Sequence, residues 1–238
     1  MISFIVPAYN EERLLGRTLA AIHAAAREVA LPYEVIVVDD GSTDGTAAIA
    51  RANEARVVAV AVRQISRTRN AGARAAAGDT LIFVDADTIV PAATVRASIA
   101  ALARGAVGGG AAIEFDGRLP MWATVVASAI AGFMRVTRLA AGCYVFCTRA
   151  AFDASGGFPE DIYAGEEIFL SRALARQGRF VILRETVTTS ARKVRTHAFP
   201  EVLRLSAGFM RRGTGMLRDR DRLALWYDGR RDDPGPKP

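Results

Sequence analysis

The sequence predicts an α/β protein in which a mostly parallel sheet carries helices on both faces and continues into a mixed-sheet C-terminal extension. Short runs of β-branched residues, such as EVIVV at 34–38, are typical of strands that are buried on both faces of a sheet. Segments with apolar residues at helical spacing separate these runs over residues 1–105. Regular alternation of strand and helix indicates a parallel, doubly wound sheet with right-handed crossovers.

The first half of the chain reads as a series of strand–helix units. Each predicted strand is a short apolar run, and Pro7 closes the first of them. The first helix is indicated by Leu15, Leu19 and Ile22 at helical spacing. The predicted strands cover residues 2–6, 34–38, 56–62 and 80–84, and the predicted helices cover residues 11–30, 46–53 and 68–77.

Beyond Arg104 the alternation becomes irregular, which favours a mixed-sheet extension of the same domain. We interpret residues 1–230 as one domain and the proline-rich residues 231–238 as a disordered tail. The strands expected in this half cover residues 107–115, 143–148, 180–183 and 186–189, and the helices cover 121–133, 166–177 and a basic region at 199–223.

The composition argues against several classes of protein. Hydrophobic residues make up 51% of the 238 residues and charged residues 24%, which fits neither a disordered chain nor a protein with many membrane spans. The longest uncharged stretch, 119–134, contains Pro120 and falls short of the roughly 18 residues of a spanning helix. Because no basic region precedes the first apolar run, we expect no secretory signal and a cytoplasmic location. Cys143 and Cys147 are predicted to be free thiols.

Acidic residues follow two of the predicted strands directly. The second strand continues into Asp39 and Asp40, and the fourth continues into Asp85 and Asp87. Ligands of open α/β sheets bind beyond the carboxyl ends of the strands, so these carboxylates mark a candidate site. The alternative is that Thr43 or Asp44 caps the next helix and the other acidic residues are solvated turn residues. Two acidic strand ends in one chain make that alternative the weaker one.

Asp85 and Asp87 are separated by one residue, and in an extended segment their side chains would point the same way. Two such carboxylates can share a hard divalent cation, directly or through water. The chain has neither a P-loop motif nor a GxGxxG motif after its first strand, which disfavours P-loop phosphoryl transfer and nicotinamide chemistry. The pattern therefore favours a hard divalent cation bridging to a diphosphate.

Five ordered motifs resemble those of inverting family 2 glycosyltransferases, which have the Rossmann-like GT-A fold. The resemblance covers about residues 1–190 and depends on the order of the motifs, since the DxD pattern alone is weak. The motifs are PAYNE at 7–11, DDGSTDGT at 39–46, RNAGARAAAGD at 69–79, FVDADT at 83–88 and GEEIFLSRAL at 165–174.

The resemblance implies a nucleoside-diphosphate sugar as the donor, bound by the first half of the domain, residues 1–105. A carboxylate at Asp39 could accept the ring N–H of uracil or guanine, which points to a UDP- or GDP-sugar. Arg69 would reach the diphosphate, although it could instead be an ordinary surface arginine. Glu11 would help to bind the donor, but it fits equally well as a carboxylate at the start of a helix, where the helix dipole favours negative charge. The residues assigned to donor binding are Pro7, Ala8, Tyr9, Glu11, Asp39, Arg69, Asp85 and Ala86.

The resemblance also assigns the metal and the base. Asp87 would bind Mn²⁺ or Mg²⁺ directly, and Asp85 would reach the metal through water or contact the ribose. His197 could complete the metal site, although a lone histidine is more often structural. Glu167 stands where the family carries its aspartate base, with Glu166 as the next candidate, in the half that spans residues 106–198. Two glutamates in a first helical turn also complement the helix dipole without any catalytic role.

The acceptor is less well defined by the sequence. The QxxRW motif of processive synthases is absent, because residues 177–180 read QGRF, so a single addition to a hydroxyl or phosphate is expected. The uncharged stretch 121–133 and the basic segment 204–222, which lies in the C-terminal region 199–230, could lie on an anionic bilayer. That placement would suit a lipid-linked acceptor at the inner face of the membrane. A core helix and a homo-oligomer contact form the alternative.

Other functions stay open at this point. The net charge of +6 suits phosphate-bearing ligands, but no aromatic-rich basic motif supports binding of nucleic acid. A sugar-nucleotide nucleotidyltransferase would carry a glycine-rich, arginine-containing loop after its first strand, and PAYNE stands there instead. A catalytically idle protein that keeps the nucleotide pocket, or that uses its basic face on a membrane, is the remaining alternative, and hydrolysis of a donor would distinguish it from an enzyme.

Overall fold

The computed structural model of the chain describes residues 1–117, 124, 132, 134–192 and 217–218. The predictions for His197, for the tail 231–238 and for nearly all of the segments 121–133 and 199–230 lie outside the described residues. Within the described part, one eight-stranded sheet is flanked by helices. No helix of this part is long and apolar enough to cross a bilayer.

Six of the eight strands run in the same direction, so the mostly parallel sheet with a mixed extension is confirmed. The order is β3-β2-β1-β4-β7-β6-β8-β5, in which β7 and β5 are antiparallel to their neighbours. The parallel pairs are β1 with β2, β1 with β4, β2 with β3, and β6 with β8. The strands are β1 Ile2–Ala8, β2 Tyr33–Asp40, β3 Arg56–Val60, β4 Thr80–Val84, β5 Thr88–Ile89, β6 Ala106–Phe115, β7 Tyr144–Thr148 and β8 Arg179–Thr189.

The helices cover both faces of the sheet, as predicted. Side chains alternate along a strand, so Phe4 and Val6 of β1 pack in one core with the first and fourth helices, whereas Ile5 packs in another with the third, fifth and sixth. The helices are α1 Leu15–Val29, α2 Thr46–Ala52, α3 Ile65–Ala75, α4 Ala92–Ala103, α5 Arg149–Ser155 and α6 Glu166–Gln177.

Several local predictions need correction, and strand β5 and helix α4 were not predicted. The expected strands 180–183 and 186–189 form one strand, β8, whose pairing with β6 is irregular where Arg184 and Glu185 are exposed. Helix α1 begins at Leu15, because the Glu11 carbonyl accepts the backbone N–H groups of Leu14 and Leu15 in a preceding turn. Helix α5 was not predicted; the Thr148 side chain caps it by accepting the N–H of Ala151 at 3.2 Å.

The strand directions explain where a site can form. Strands β1, β2, β3, β4, β6 and β8 all end at one edge of the sheet, and antiparallel β7 begins there. The loops that follow β1, β4 and β8 therefore meet the segment that precedes β7. This edge is where open α/β sheets bind ligands.

Candidate active site at the carboxyl edge of the sheet

A cleft of about 380 Å³ lies at this edge, within the range of roughly 300–1,000 Å³ typical of small-molecule sites. Loops from both halves of the sheet form its walls. The lining residues predicted from the sequence are Pro7, Ala8, Tyr9, Glu11, Arg69, Asp85, Ala86, Asp87, Glu166 and Glu167. Most of the predicted site residues therefore share one cleft.

The loop after β1 is fastened to the loop after β2 by hydrogen bonds in both directions. Asn10 donates its backbone N–H to the Ser42 hydroxyl at 2.9 Å, and the amide oxygen of Asn10 accepts the N–H of Thr43 at 2.8 Å. The Asp44 carboxylate accepts the N–H and the hydroxyl of Thr46, the first residue of α2. The N-cap of α2 is Gly45, so neither Thr43 nor Asp44 stands at the cap position that the sequence alternative proposed. The two motifs PAYNE and DDGSTDGT thus form one rigid wall.

Asp39 and Asp40 point to different surroundings, as neighbours in a strand must. Asp39 accepts the N–H of Ser42 at 3.1 Å and does not line the cleft, unlike the other donor residues predicted from the sequence. Asp40 lines the cleft but accepts four hydrogen bonds at 2.7–3.1 Å, from the N–H groups of residues 62–64 and from the Thr68 hydroxyl. The Asp40 carboxylate therefore holds the entry to α3 in place.

Arg69 joins three separate segments at the back of the cleft. Its Nη2 donates to Asp85 Oδ1 at 2.7 Å and to the Gly142 carbonyl at 2.9 Å, and its Nη1 donates to Glu166 Oε1. The sequence assigned Arg69 to the diphosphate, with a surface arginine as the alternative. In the structure both of its terminal nitrogens already donate to protein acceptors, and the side chain is buried.

A second arginine occupies the opposite part of the cleft. Arg192 forms a bidentate pair with Glu11, with two N–O distances of 2.9 Å, and reaches Asp87 Oδ2 at 3.2 Å. The hydroxyl of Thr189 lies 3.4 Å from the other oxygen of Asp87. The Glu11 carboxylate therefore belongs to an ion pair at the cleft, and it precedes α1 instead of lying in its first turn.

The segment that carries Asp85 and Asp87 is a turn, which corrects the expectation of an extended segment. The Thr88 N–H donates to the Asp85 carbonyl at 3.1 Å, yet both carboxylates still line the cleft. Among the described residues, no three His, Cys, Asp or Glu side chains form a metal site made of protein alone. Two hard carboxylates facing a cleft do fit Mg²⁺ or Mn²⁺, which commonly complete their coordination with water and substrate phosphates.

The predicted base lies at the start of α6. Gly165 has a φ of +71°, a left-handed conformation that glycine adopts without strain, and it turns the chain into the helix. Burial, followed by the charge of Glu166, raises the pKa of Glu167 to about 8, whereas Arg69 lowers it. The pKa therefore lies close to neutral pH, which suits a general base. Glu166 is instead buried and bound to Arg69.

Several cleft residues were not predicted. The Arg63 guanidinium lies 3.6 Å over the centre of the Tyr9 ring. Arg63 and Gln64 lie three and four residues after the end of β3, so the rule that ligands bind beyond strand ends would have found them. Cys143 was predicted as a free thiol, and it is buried in the cleft wall. Burial, followed by the charges of Asp85 and Asp87, raises the pKa of Cys143, which makes it a poor nucleophile.

Sequence comparisons relate the chain to sugar-transferring proteins. The family described as "Glycosyl transferase family 2" matches residues 3–152. Validoxylamine A glucosyltransferase of Streptomyces hygroscopicus subsp. limoneus is 36% identical over 109 residues, 42% of this chain and 23% of the relative. Undecaprenyl-phosphate 4-deoxy-4-formamido-L-arabinose transferase of Pectobacterium carotovorum subsp. carotovorum (strain PC1) is 36% identical over 93 residues, 36% of this chain and 28% of the relative. These matches span about a quarter of the curated relatives.

Solved structures show the same fold at low sequence identity. A mannosyltransferase from Pyrobaculum calidifontis, in complex with GDP-Man and Mn²⁺, superposes with a TM-score of 0.62 at 22% identity, over 92% of this chain and 63% of that one. Glucosyl-3-phosphoglycerate synthase from Mycobacterium tuberculosis, in complex with Mn²⁺, UDP and glucosyl-3-phosphoglycerate, gives a TM-score of 0.61 at 23% identity, over 92% and 79%. The likeness confirms the predicted GT-A fold.

Proposed function

Because the chain belongs to glycosyl transferase family 2, we propose that it moves a sugar from a UDP- or GDP-sugar to an acceptor hydroxyl or phosphate, with inversion and by single additions. The observation that carries the proposal is that two sets of carboxylates, from separate segments of the chain, line one cleft. Asp85 and Asp87 lie after β4, and Glu167 lies at the start of α6. One set suits the leaving diphosphate, and the other suits the attacking group.

The donor would occupy the part of the cleft formed by Pro7, Ala8 and Tyr9. The rigid wall of this region, fastened by Asn10, limits the loss of conformational entropy when a nucleotide binds. The aromatic ring of Tyr9, with the Arg63 guanidinium over it, offers a flat surface and a cation to a nucleobase. Asp39, on the strand end beside Ala8, is the carboxylate proposed to accept a ring N–H of the base.

Asp87 and Asp85 would hold Mn²⁺ or Mg²⁺ together with the diphosphate oxygens. The metal would supply Lewis-acid stabilisation of the charge on the departing nucleoside diphosphate. Asp87 would bind directly and Asp85 through water or the ribose. Arg192, 3.2 Å from Asp87, places a second cation beside the same position. His197 is retained as a further candidate ligand.

Glu167 would act as the general base. Its carboxylate would accept the proton of the acceptor hydroxyl while that oxygen forms a bond with the anomeric carbon. The bond from the anomeric carbon to the diphosphate oxygen breaks, and the leaving group departs with the electron pair. Attack opposite the leaving group inverts the anomeric centre. An acceptor phosphate that is already ionised would need no such base.

Apolar residues line part of the cleft, and a basic residue outside its lining is bound to the segment that leads to Glu166. Ile113 and Phe115 of β6 line the cleft. Arg218 forms an ion pair of 3.1 Å with Asp161, and the Leu217 carbonyl accepts the Tyr163 N–H at 2.8 Å, close to the turn before Glu166. One relative is named as acting on undecaprenyl phosphate. We therefore retain a lipid-linked acceptor, with peripheral membrane contact at the inner face, as a proposal.

A panel of nucleotides tests the donor class and the metal together. The melting temperature would be measured with UDP, GDP, CMP and dTDP, each with and without Mn²⁺. UDP or GDP should raise it only when the metal is present, because the metal links the carboxylates to the diphosphate. Equal shifts without metal would contradict the metal site, and no shift with any nucleotide would contradict the donor class.

Substitutions of the neighbouring aspartates test the proposed contact with the base. Asp39→Asn should weaken the binding of the preferred nucleotide about tenfold with little change in melting temperature, because one base contact is lost. Asp40→Asn should lower the free energy of unfolding by about 2 kcal/mol, because buried N–H donors lose a charged acceptor. Calorimetric titration and thermal unfolding of both variants would check this, and equal binding by Asp39→Asn and wild type would contradict the assignment of Asp39.

A further inference from the structure

We infer that Arg69 is a positioning residue that holds the donor-side carboxylate Asp85 and the start of the base helix α6 at a set separation. The inference rests on the proposed function, in which Asp85 faces the diphosphate and Glu167 accepts the proton. No donor contact is required of Arg69. Its role would be to keep Asp85 and the start of α6 at the relative position that the reaction needs.

The contacts of Arg69 connect three segments that are distant in sequence. One guanidinium from α3 donates to Asp85 after β4, to the carbonyl of Gly142 before β7, and to Glu166 in the first turn of α6. These segments form the donor wall, the floor and the base side of the cleft. A single rigid group therefore links all three.

The guanidinium suits this task because its donors are planar and have fixed directions. Its side chain is 3% exposed, and the Phe158 ring lies 5.2 Å from its central carbon. Lysine could supply the charge, but its ammonium is a point charge without a planar fork. The separation between Asp85 and Glu166 thus depends on the shape of the guanidinium as well as on its charge.

The base is close to this link. A Cβ added to Gly142 would lie 3.3 Å from Arg69 Nη2 and 3.5 Å from Glu167 Oε2, so one small space separates the guanidinium from the carboxylate of the base. Glu167 directly follows Glu166, whose side chain Arg69 holds. Movement of Arg69 would therefore displace the base relative to the donor carboxylates.

The chain offers a matched control for this arginine. Arg149 also joins α3 to a neighbouring segment, since it donates to the carbonyls of Gly78, Ala73 and Ala76 at 2.8–3.2 Å. These acceptors lie at the far end of α3, away from the cleft. Arg149→Lys therefore loosens the same helix without touching Asp85 or Glu166.

The test compares Arg69→Lys with Arg149→Lys in the presence of Mn²⁺. Release of nucleoside diphosphate from UDP-glucose, UDP-N-acetylglucosamine and GDP-mannose would be measured per folded molecule, and kcat would be separated from the donor KM. Arg69→Lys should lower kcat about 100-fold with the donor KM within about threefold, since a misplacement of about 1 Å costs a factor of this size. Arg149→Lys should keep kcat within about threefold of wild type.

Two outcomes would overturn the role. Equal kcat values for Arg69→Lys and Arg149→Lys would show that Arg69 stabilises the fold alone. A loss confined to the donor KM would show that Arg69 binds the diphosphate directly. A wild-type protein that releases no nucleoside diphosphate from any donor would instead refute the proposed function, and with it this role, so the two failures are distinguishable.

Glu166→Gln keeps the test decisive if Arg69→Lys does not fold. The glutamine retains an oxygen that can accept from Arg69 but removes the charge, so kcat, measured per folded molecule, should fall about tenfold while the donor KM stays within about threefold of wild type. Where both single variants fold, the double variant should lose no more than Arg69→Lys alone, because both act through one contact. Unchanged kcat in Glu166→Gln, or multiplicative losses in the double variant, would overturn the inference.

Discussion

The cleft contains two arginine clusters that look alike but differ in what they connect. The Arg69 cluster consists of Arg69, Asp85, Glu166 and the Gly142 carbonyl, and the Arg192 cluster consists of Arg192, Glu11 and Asp87. Each arginine is buried and bound to two carboxylates. Arg69 reaches Asp85 at 2.7 Å, whereas Arg192 reaches Asp87 at 3.2 Å and makes its bidentate pair with Glu11.

The difference shows which side of the cleft can change partners when a ligand binds. If Asp87 turns to a metal, Arg192 still keeps the bidentate pair with Glu11. If Arg69 releases Asp85, it loses a contact of 2.7 Å and keeps a single hydrogen bond to a carboxylate, from Nη1 to Glu166, which is costly for a buried cation. We therefore expect the Arg69 cluster to stay fixed and the Arg192 cluster to exchange contacts with the donor and metal.

The largest expected effect on activity comes from Glu167, which lies beside the Arg69 cluster. Glu167→Gln should lower transfer to a hydroxyl acceptor by about 10³-fold, within the range of roughly 10²–10⁴ for a general base, because the amide cannot accept the proton. Binding of the preferred nucleoside diphosphate, measured by calorimetry, should stay within about twofold. Normal turnover by Glu167→Gln would show that another residue is the base, and Glu166 would be the next candidate.

A second prediction for Glu167 concerns the dependence of kcat/KM on pH. Because the pKa of Glu167 is raised to about 8, its carboxyl is protonated below that pH and cannot accept a proton. The kcat/KM for a hydroxyl acceptor should therefore rise about tenfold per pH unit as the pH approaches 8 and then level off. A pH–rate profile checks this prediction. A flat profile below pH 8 would contradict the assignment of Glu167.

An intermediate effect is expected in the Arg192 cluster. Arg192→Gln should raise the donor KM about tenfold with a smaller change in kcat, because a cation beside the diphosphate position is lost while Glu167 stays in place. Steady-state kinetics with varied donor checks the split. Losses in kcat as large as those of Arg69→Lys would show that the two clusters do not differ in the way proposed.

The smallest effect on kcat should come from adding a methyl group next to the Arg69 cluster. Gly142→Ala adds a methyl group 3.3 Å from Arg69 Nη2 and 3.4 Å from Glu167 Cδ, which forces a shift of a few tenths of an ångström. We expect kcat to fall about threefold with an unchanged melting temperature. Gly132→Ala, where an added Cβ meets no atom within 4 Å among the described residues, is the matched control. Equal kcat in the two variants would indicate that the cluster tolerates movement.

The sequence determined the fold class, and most of the site residues that it predicted lie at the edge of the sheet. Periodicity identified strands such as β2 and β4, because a strand buried on both faces must be continuously apolar. The position of Asp85 and Asp87 at a strand end placed them in the cleft, since parallel strands all end at one edge. The motif order identified Glu166 and Glu167 as neighbours of that edge.

Only the tertiary structure decided what these side chains bind. Asp39 and Asp40 have the same chemistry, and strand geometry alone directs one towards α3 and the cleft. The sequence assigned Arg69 to the diphosphate, and only the fold shows that Asp85 and Glu166, 16 and 97 positions away, meet its guanidinium. Which charges pair depends on which segments the fold brings within about 3 Å of each other. The order of residues along the chain does not specify these distances.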